Sequence, residues 1–304
     1  MEYICKDRGS ASCPCPLIET GQCYTCGMAK SGRCDCPPGW QGVCPFTEYY
    51  QNGKKIVSRN DEKRLFIKEY KEYSDKHKLI VLKTPSGFAL KCKEMGTFLM
   101  VRAGDFYLPL SVMQSCVAEG SGFVYISFYI AGPKTKILDE RCREGGTLCV
   151  KGPFFNGLIN SENFHYGKAT MVVAKGMAAM PFINQWERLK NTLTKLYIDT
   201  DKLADGFIEE QLGNMDYENI NLYKDWQRLS AEMEMFQREG GNVLLMASPY
   251  YVKMFSKRLS HPVIYPNHSN MCCGAGMCGA CSRTDMDGTT VKLCKCNGEI
   301  KKEA

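Results

Sequence analysis

Between residues 79 and 154 the chain alternates short apolar runs with breaks of Gly, Pro, Asp and Lys-Glu. The runs are LIVLKTP (79–85), FALKCKE (88–94), TFLMVRA (97–103), FYLPLSV (106–112), FVYISFYIAG (123–132) and TLCVKGPF (147–154). All are short and rich in β-branched and aromatic residues. Their number and spacing predict an antiparallel barrel or sandwich. After His165 the period changes. ATMVVAKG (169–176), KLYIDTD (195–201) and GNVLLMASP (241–249) read as buried strands. Between and after them, AMPFINQWERLKNTL, DYENINLYKDWQRLSAEMEMFQREGG and YYVKMFSKRL carry helical spacing. Strands alternating with helices predict a parallel α/β layer. Residues 1–50 show neither period, and residues 51–78, dense in Lys and Glu, read as a charged linker or an exposed helix.

Composition alters this picture at one point. Hydrophobic residues make up 44% of the 304 positions and charged residues 24%, values ordinary for a globular protein with a real core. The formal charge of +6, from 39 basic and 33 acidic side chains, is too mild and too evenly spread to point to nucleic acid. Cysteine is the outlier, with 18 in all: eight within residues 1–44 and six within 272–296. The first residues, MEYICKDRGS, lack the apolar core of a signal peptide, and no apolar run is long enough to insert in a membrane. A cytoplasmic location is therefore expected. There, clustered thiols favour metal sites over disulfides.

The C-terminal cluster has the sharper spacing. Cys273, Cys278, Cys281 and Cys294 form C-x4-C-x2-C-x12-C. The first three positions match plant-type [2Fe–2S] ligands, and the intervening glycines allow a tight loop whose N–H groups reach the sulfurs. Zinc, which favours two C-x2-4-C pairs, and inert thiols are the alternatives. Cys272 and Cys296 are spare positions able to replace a neighbour. In the N-terminal module, Cys5, Cys13, Cys15, Cys23, Cys26, Cys34, Cys36 and Cys44 lie in a Pro- and Gly-rich stretch. They suggest a second thiolate site for zinc or an iron–sulfur cluster, or else a disulfide-linked or reactive-thiol segment. His77, His165, His261 and His268 are scattered and suggest no ligand set.

Several motifs within residues 79–300 resemble the ferredoxin reductase superfamily, in particular the electron-transfer subunit of dihydroorotate dehydrogenase and the small subunit of sulfide dehydrogenase. Gly96–Arg102 (GTFLMVR) resembles the family's P-G-Q-F-V-M-V-R strand, and Leu108–Val112 (LPLSV) its R-P-I-S-I flavin strand. Gly132–Lys136 (GPKTK) resembles a G-K-G-T phosphate turn, and Gly152–Gly157 (GPFFNG) the barrel-closing G-P-L-G-N-G. The resemblance implies an FAD-binding β-barrel over 79–165, a Rossmann-like NAD(P)-binding α/β domain over 166–265 and a [2Fe–2S] segment over 266–304. These would follow a Cys-rich metal-binding module over 1–50. It also implies FAD contacts from Leu108, Pro109, Leu110, Ser111, Val112, Gly132, Lys134, Thr135, Gly152, Asn156 and Gly157, with Gly176 at the nicotinamide turn.

Two departures are informative. Leu108 stands where the family has the Arg that neutralises the FAD pyrophosphate, leaving Lys134, Lys136 or Arg102 to supply the charge. The family's G-G-G-I-G-V-A-P turn is here Ala174–Pro181 (AKGMAAMP), and its C-G-P is Ala247–Pro249 (ASP). Side chains at those glycine positions would crowd a dinucleotide, so NAD(P)H binding is expected to be weak or lost. The resemblance thus implies an oxidoreductase subunit of the NAD(P)H-dependent flavoprotein reductase type. It would pass electrons between FAD, with NAD(P)H an open question as their source, a [2Fe–2S] cluster and a catalytic partner subunit or ferredoxin-like acceptor. The rivals are a non-catalytic electron-transfer or redox-sensor protein without NAD(P), and a zinc-organised interaction protein.

Overall fold

The computed structural model describes residues 4–5, 17–19, 23, 26–34, 44–56, 62–213, 215–267, 271–274, 278–284, 288 and 290–297. Cys13, Cys15, Cys36 and His268 fall outside them.

The N-terminal module contributes β1 (Ile4–Cys5), α1 (Gly27–Ser31) and α2 (Pro45–Gln51). The barrel follows with β2 (Lys63–Glu72), β3 (His77–Pro85), α3 (Ser86–Lys91), β4 (Phe98–Ala103), β5 (Phe106–Ser111), β6 (Gln114–Ala118), β7 (Ser121–Tyr129), α4 (Pro133–Glu144) and β8 (Thr147–Phe154). Its seven strands are antiparallel in the order β5-β4-β8-β2-β3-β7-β6. The sheet curls because the chain passes directly from one edge to the other: the Val112 N–H donates to Thr97 O and the Met113 N–H to Tyr125 O. Alternate residues of β8 point inward, Leu148 and Val150 among them, as expected of a sheet with one wet face.

Two expectations are corrected here. Residues 63–72, read as linker or exposed helix, form a strand that pairs with both β3 and β8. Leu65 and Ile67 point into the core, while Arg64, Phe66 and Lys68 face out. The high charge belongs to the solvated face of a strand. FALKCKE is not a strand. Phe88, Ala89 and Cys92 are buried at helical spacing, and α3 plugs one end of the barrel.

The second layer contains β9 (Leu158–Ile159), β10 (Thr170–Lys175), a 3-10 turn (Gly176–Ala179), α5 (Met180–Asn184), α6 (Trp186–Leu189), β11 (Leu193–Asp199), α7 (Phe207–Leu212), β12 (Glu218–Asn219), α8 (Leu222–Arg238), β13 (Asn242–Met246) and α9 (Pro249–Ser256). The parallel sheet runs β12-β11-β10-β13. Its strand order reverses between β10 and β13, the place where open α/β sheets form a crevice at their carboxyl ends. Leu222, Leu229, Met233 and Phe236 form the buried stripe of α8, whose N-terminus is capped by Asn221 accepting from the Lys224 N–H. The chain ends in β14 (Tyr265–Pro266), β15 (Ser282–Thr284), β16 (Thr290–Lys292) and β17 (Cys296–Asn297). β17 pairs with β1, setting the backbone of Cys5 opposite that of Cys296.

Polar contacts join the two layers. Asn184 donates from Nδ2 to Cys92 O and Val112 O, both at 3.0 Å, and Gln185 donates to Lys93 O at 3.0 Å. His77 is fully buried in the same joint. Its Nδ1 accepts from the Ala204 N–H at 3.0 Å, so Nε2 carries the proton and donates to Ser127 Oγ at 2.7 Å. Burial pulls its pKa down to about 4, so the ring is neutral at pH 7. No helix among the described residues is long and apolar enough to cross a membrane.

Candidate functional site

A cleft of about 650 Å³ opens where three parts of the chain meet. The barrel supplies Phe98, Tyr107, Leu108, Pro109, Ser111 and Gly157, with Lys134 from the first turn of α4. The turn after β10 supplies Met177, Ala178 and Pro181. The cysteine loop supplies Met271, Cys272 and Ala280, beside Pro266 and Asn267.

Strand alternation decides which β5 residues reach the cleft. Leu108 and Leu110 pack against the barrel core, Leu108 also bordering the cleft, and Val112 is fully buried within the core. Pro109 and Ser111 face the cleft. At α4, Thr135 Oγ1 accepts from the Ala131 and Gly132 N–H groups and donates to Gly132 O. That hydroxyl therefore caps the helix, and the cation beside the cleft is Lys134. Of the other two lysine or arginine positions considered for this role, Arg102 is engaged with Glu62 and Gly104 O, and Lys136 does not border the cleft. Gly157 admits no Cβ, which would run into the Gly96 carbonyl oxygen. Gly152 is packed against Leu99 and Phe154. Asn156 is turned away, its Nδ2 donating to Leu293 O at 2.7 Å. The apolar walls, the hydroxyl side chains of Tyr107 and Ser111 and the Lys134 cation fit a flavin nucleotide.

The four cysteines of the C-terminal motif come together in pairs. The Cys278 thiol contacts that of Cys273, and the Cys281 thiol contacts that of Cys294, which also contacts Cys273. The Cys294 N–H donates to Cys281 Sγ at 3.4 Å. The contact with Cys294 brings the Cys281 thiol down to about 6, whereas Cys294 is pushed up by its two thiol neighbours and by burial. Two thiol pairs on one loop fit a cluster with two thiolates per iron. No group of three or more His, Cys, Asp or Glu among the described residues is arranged around a single metal ion. The loop is seated on the barrel, with Phe98, Met100 and Phe154 packing against Met271, Cys281 and Cys294. Phe98 thus touches both the cleft and the cysteine loop.

In the N-terminal module, Cys26 immediately precedes α1, and Cys44 caps α2, its thiol accepting from the Thr47 N–H. Burial, with Cys23 and Cys44 nearby, pushes the Cys26 thiol up. Burial also acts to raise the Cys44 thiol, but its contacts with the Thr47 hydroxyl and N–H outweigh this and lower it. Cys34 is exposed. No disulfide joins any described cysteine.

The crevice at the carboxyl ends of β10 and β11 has a different character. Lys175 Nζ lies 2.6 Å from Asp199 Oδ2 and 3.3 Å from Asp201 Oδ2. Asp199 also accepts from the Leu222 and Asp201 N–H groups. Burial opposes the Lys175 charge, but Asp199 and then Asp201 outweigh it and hold its pKa up. One cation against two carboxylates leaves net negative charge beside the turn that follows β10. Gly176, at φ +51°, backs directly onto the Asp201 carbonyl, and the helix after the turn is only five residues long. These residues do not fit a dinucleotide phosphate, which needs free N–H groups at a helix N-terminus. The sequence pointed to the missing glycines; the Lys175–Asp199–Asp201 cluster was not anticipated, since only the fold brings the ends of two strands together.

No protein-family model and no curated protein matches this chain. Solved structures do. An antiparallel flavin-type barrel joined to a parallel α/β layer, with a cleft between them, is the ferredoxin reductase fold, and the chain has it. An NADH-dependent reduced ferredoxin–NADP oxidoreductase superposes with a TM-score of 0.54 at 17% identity, covering 76% of this chain and 85% of that one. The ferredoxin reductase of carbazole 1,9a-dioxygenase gives 0.50 at 14%, covering 68% and 69%. An intact type IV self-sufficient cytochrome P450 monooxygenase gives 0.55 at 13%, covering 80% of this chain but only 41% of that larger one.

Proposed function

We propose that this chain is a flavin and iron–sulfur electron-transfer subunit of an oxidoreductase, with FAD in the cleft and a [2Fe–2S] cluster on Cys273, Cys278, Cys281 and Cys294. The observation that carries this reading is the shared cleft: Pro109 and Ser111 of the flavin strand and Cys272 and Ala280 of the cysteine loop line one cavity. Bound FAD would supply exchange between two-electron and one-electron chemistry, and the cluster one-electron exchange. The chain's own residues do the rest. Lys134 neutralises a phosphate, and Ser111 offers a hydroxyl to the flavin ring. Phe98 and Tyr107 exclude water, and the N–H of Cys294 stabilises a negative sulfur. Electrons would leave through the cysteine loop to a catalytic partner subunit or a ferredoxin-like acceptor, the arrangement implied by the resemblance to the dihydroorotate dehydrogenase and sulfide dehydrogenase subunits. The Lys175–Asp199–Asp201 cluster supports a protein that no longer takes hydride from NAD(P)H. Cys23, Cys26 and Cys44 are the nucleus of a second thiolate site, for iron or zinc, in a protein of the reducing cytoplasm.

Anaerobic purification followed by flavin extraction and metal analysis tests this reading. The expected protein is brown, with about one FAD and at least two iron atoms per chain. Brown protein without flavin would favour a non-catalytic electron carrier or sensor. Colourless protein with stoichiometric zinc would contradict the proposal in favour of a zinc-organised interaction protein.

A further inference from the structure

The segment that closes the barrel holds both halves of the cysteine loop. On the first half, the Phe154 ring lies against Gly274, one residue past Cys273; a Cβ there would fall 2.8 Å from the ring. On the second half, the buried Asn156 donates from Nδ2 to Leu293 O at 2.7 Å, and Asn267 Nδ2 donates to the same oxygen at 2.9 Å. Asn267 also donates from Nδ2 to Asn156 O at 2.9 Å and from its backbone N–H to Gly157 O at 2.8 Å. The two asparagines therefore brace each other and converge on one carbonyl.

That carbonyl belongs to the peptide unit whose other end is the Cys294 N–H. The unit is planar and trans, so its C=O and N–H point in opposite directions. Fixing Leu293 O on the asparagine side aims the Cys294 N–H away from them, and it donates to Cys281 Sγ at 3.4 Å. The Leu293 N–H, in the preceding peptide unit, donates to Cys281 O at 3.1 Å and ties the backbone of Leu293 to Cys281. Two donors on a carbonyl also polarise the N–H of the same amide, strengthening its bond to sulfur. An N–H aimed at a ligand sulfur favours the more negative, reduced state of a cluster.

We propose that Asn156 and Asn267 are positioning residues that raise the reduction potential of the C-terminal iron–sulfur centre by aiming the Cys294 N–H at Cys281. This rests on the cluster assignment made above. Asn156, which the family motif places beside the flavin, acts on this account on the cluster instead.

The test is a mediated redox titration of the anaerobic holoprotein, with the iron centre followed by EPR and the flavin by absorbance. It compares the unaltered chain with Asn156→Ala, Asn267→Ala and the double variant. Each single variant retains one donor to Leu293 O. The expected result is a fall of about threefold in the reduced-to-oxidised ratio of the iron centre at fixed potential in each single variant. In the double variant the fall is about tenfold, or ~59 mV for a one-electron couple. Iron content stays unchanged in the single variants, and the flavin potential stays unchanged in Asn156→Ala, whose side chain is turned away from the cleft. An unshifted iron potential in variants that keep their iron would overturn the proposal. So would equal shifts at iron and flavin in Asn156→Ala, or loss of iron from both single variants, since these indicate scaffolding rather than tuning. Absence of iron from the unaltered protein would instead refute the cluster assignment, and metal analysis shows that before any variant is made.

Discussion

The two walls of the cleft have had different fates. On the barrel side, the features a flavin needs stand together: the Pro109–Ser111 strand face, Lys134 and a close-packed Gly157. On the α/β side, the parallel sheet and its switch point remain, but the turn carries Met177 and Ala178, and Lys175 is locked to two carboxylates. Both walls belong to one fold, while the cation bordering the cleft stands on the barrel side. A fold that holds its shape through β10, β11 and β13 places no demand on the turn beyond them, so the chemistry of that turn is independent of its scaffold.

The largest expected effect is at the joint between the walls. Folded His77 takes a proton only near pH 4, whereas an unfolded His takes one near 6.5. Below pH 6.5 the unfolded state therefore binds more protons. Stability should fall as pH drops from about 6.5 to about 4, by up to ~3 kcal/mol, and level off below. Denaturant melts across that range check this, and His77→Gln should flatten the slope. Next, Gly157→Ala puts a methyl into the Gly96 carbonyl at the flavin wall. FAD affinity should fall about a hundredfold, ~2.7 kcal/mol, measured by quenching of flavin fluorescence. Lys134→Ala should weaken FAD about tenfold, ~1.4 kcal/mol, and reduce the salt dependence of binding. The smallest effect is expected on the α/β wall: Lys175→Ala should leave FAD affinity within about twofold. A large loss there would mean that the two walls are not chemically separate.

Much of this was legible in the residues, and the failures have physical causes. β7 and β8 were visible because alternate side chains are buried, and β3 because nearly its whole length is a buried run. β2 was hidden because its exposed positions, Phe66 apart, are all charged, and only Leu65 and Ile67 mark the inward face. FALKCKE misled because a run of seven residues suits either period. At the site, Pro109, Ser111, Lys134 and Gly157 were marked by motif order. Phe98, Asn267 and the Lys175–Asp199–Asp201 cluster were not, because their roles arise from contacts between segments far apart in the chain. Asn156 was noticed for a flavin contact, but its side chain turns to the cysteine loop, a direction no local pattern encodes.

The most direct test of the central claim is a stepwise anaerobic titration of the purified holoprotein, first with NADH and NADPH and then with dithionite. The flavin band and the iron EPR signal are followed together. The account expects a stoichiometric excess of either nucleotide to leave the flavin oxidised, and dithionite to reduce both flavin and iron centre. Bleaching of the flavin by one equivalent of NADH or NADPH, or the lack of an iron–sulfur signal after dithionite, would contradict it.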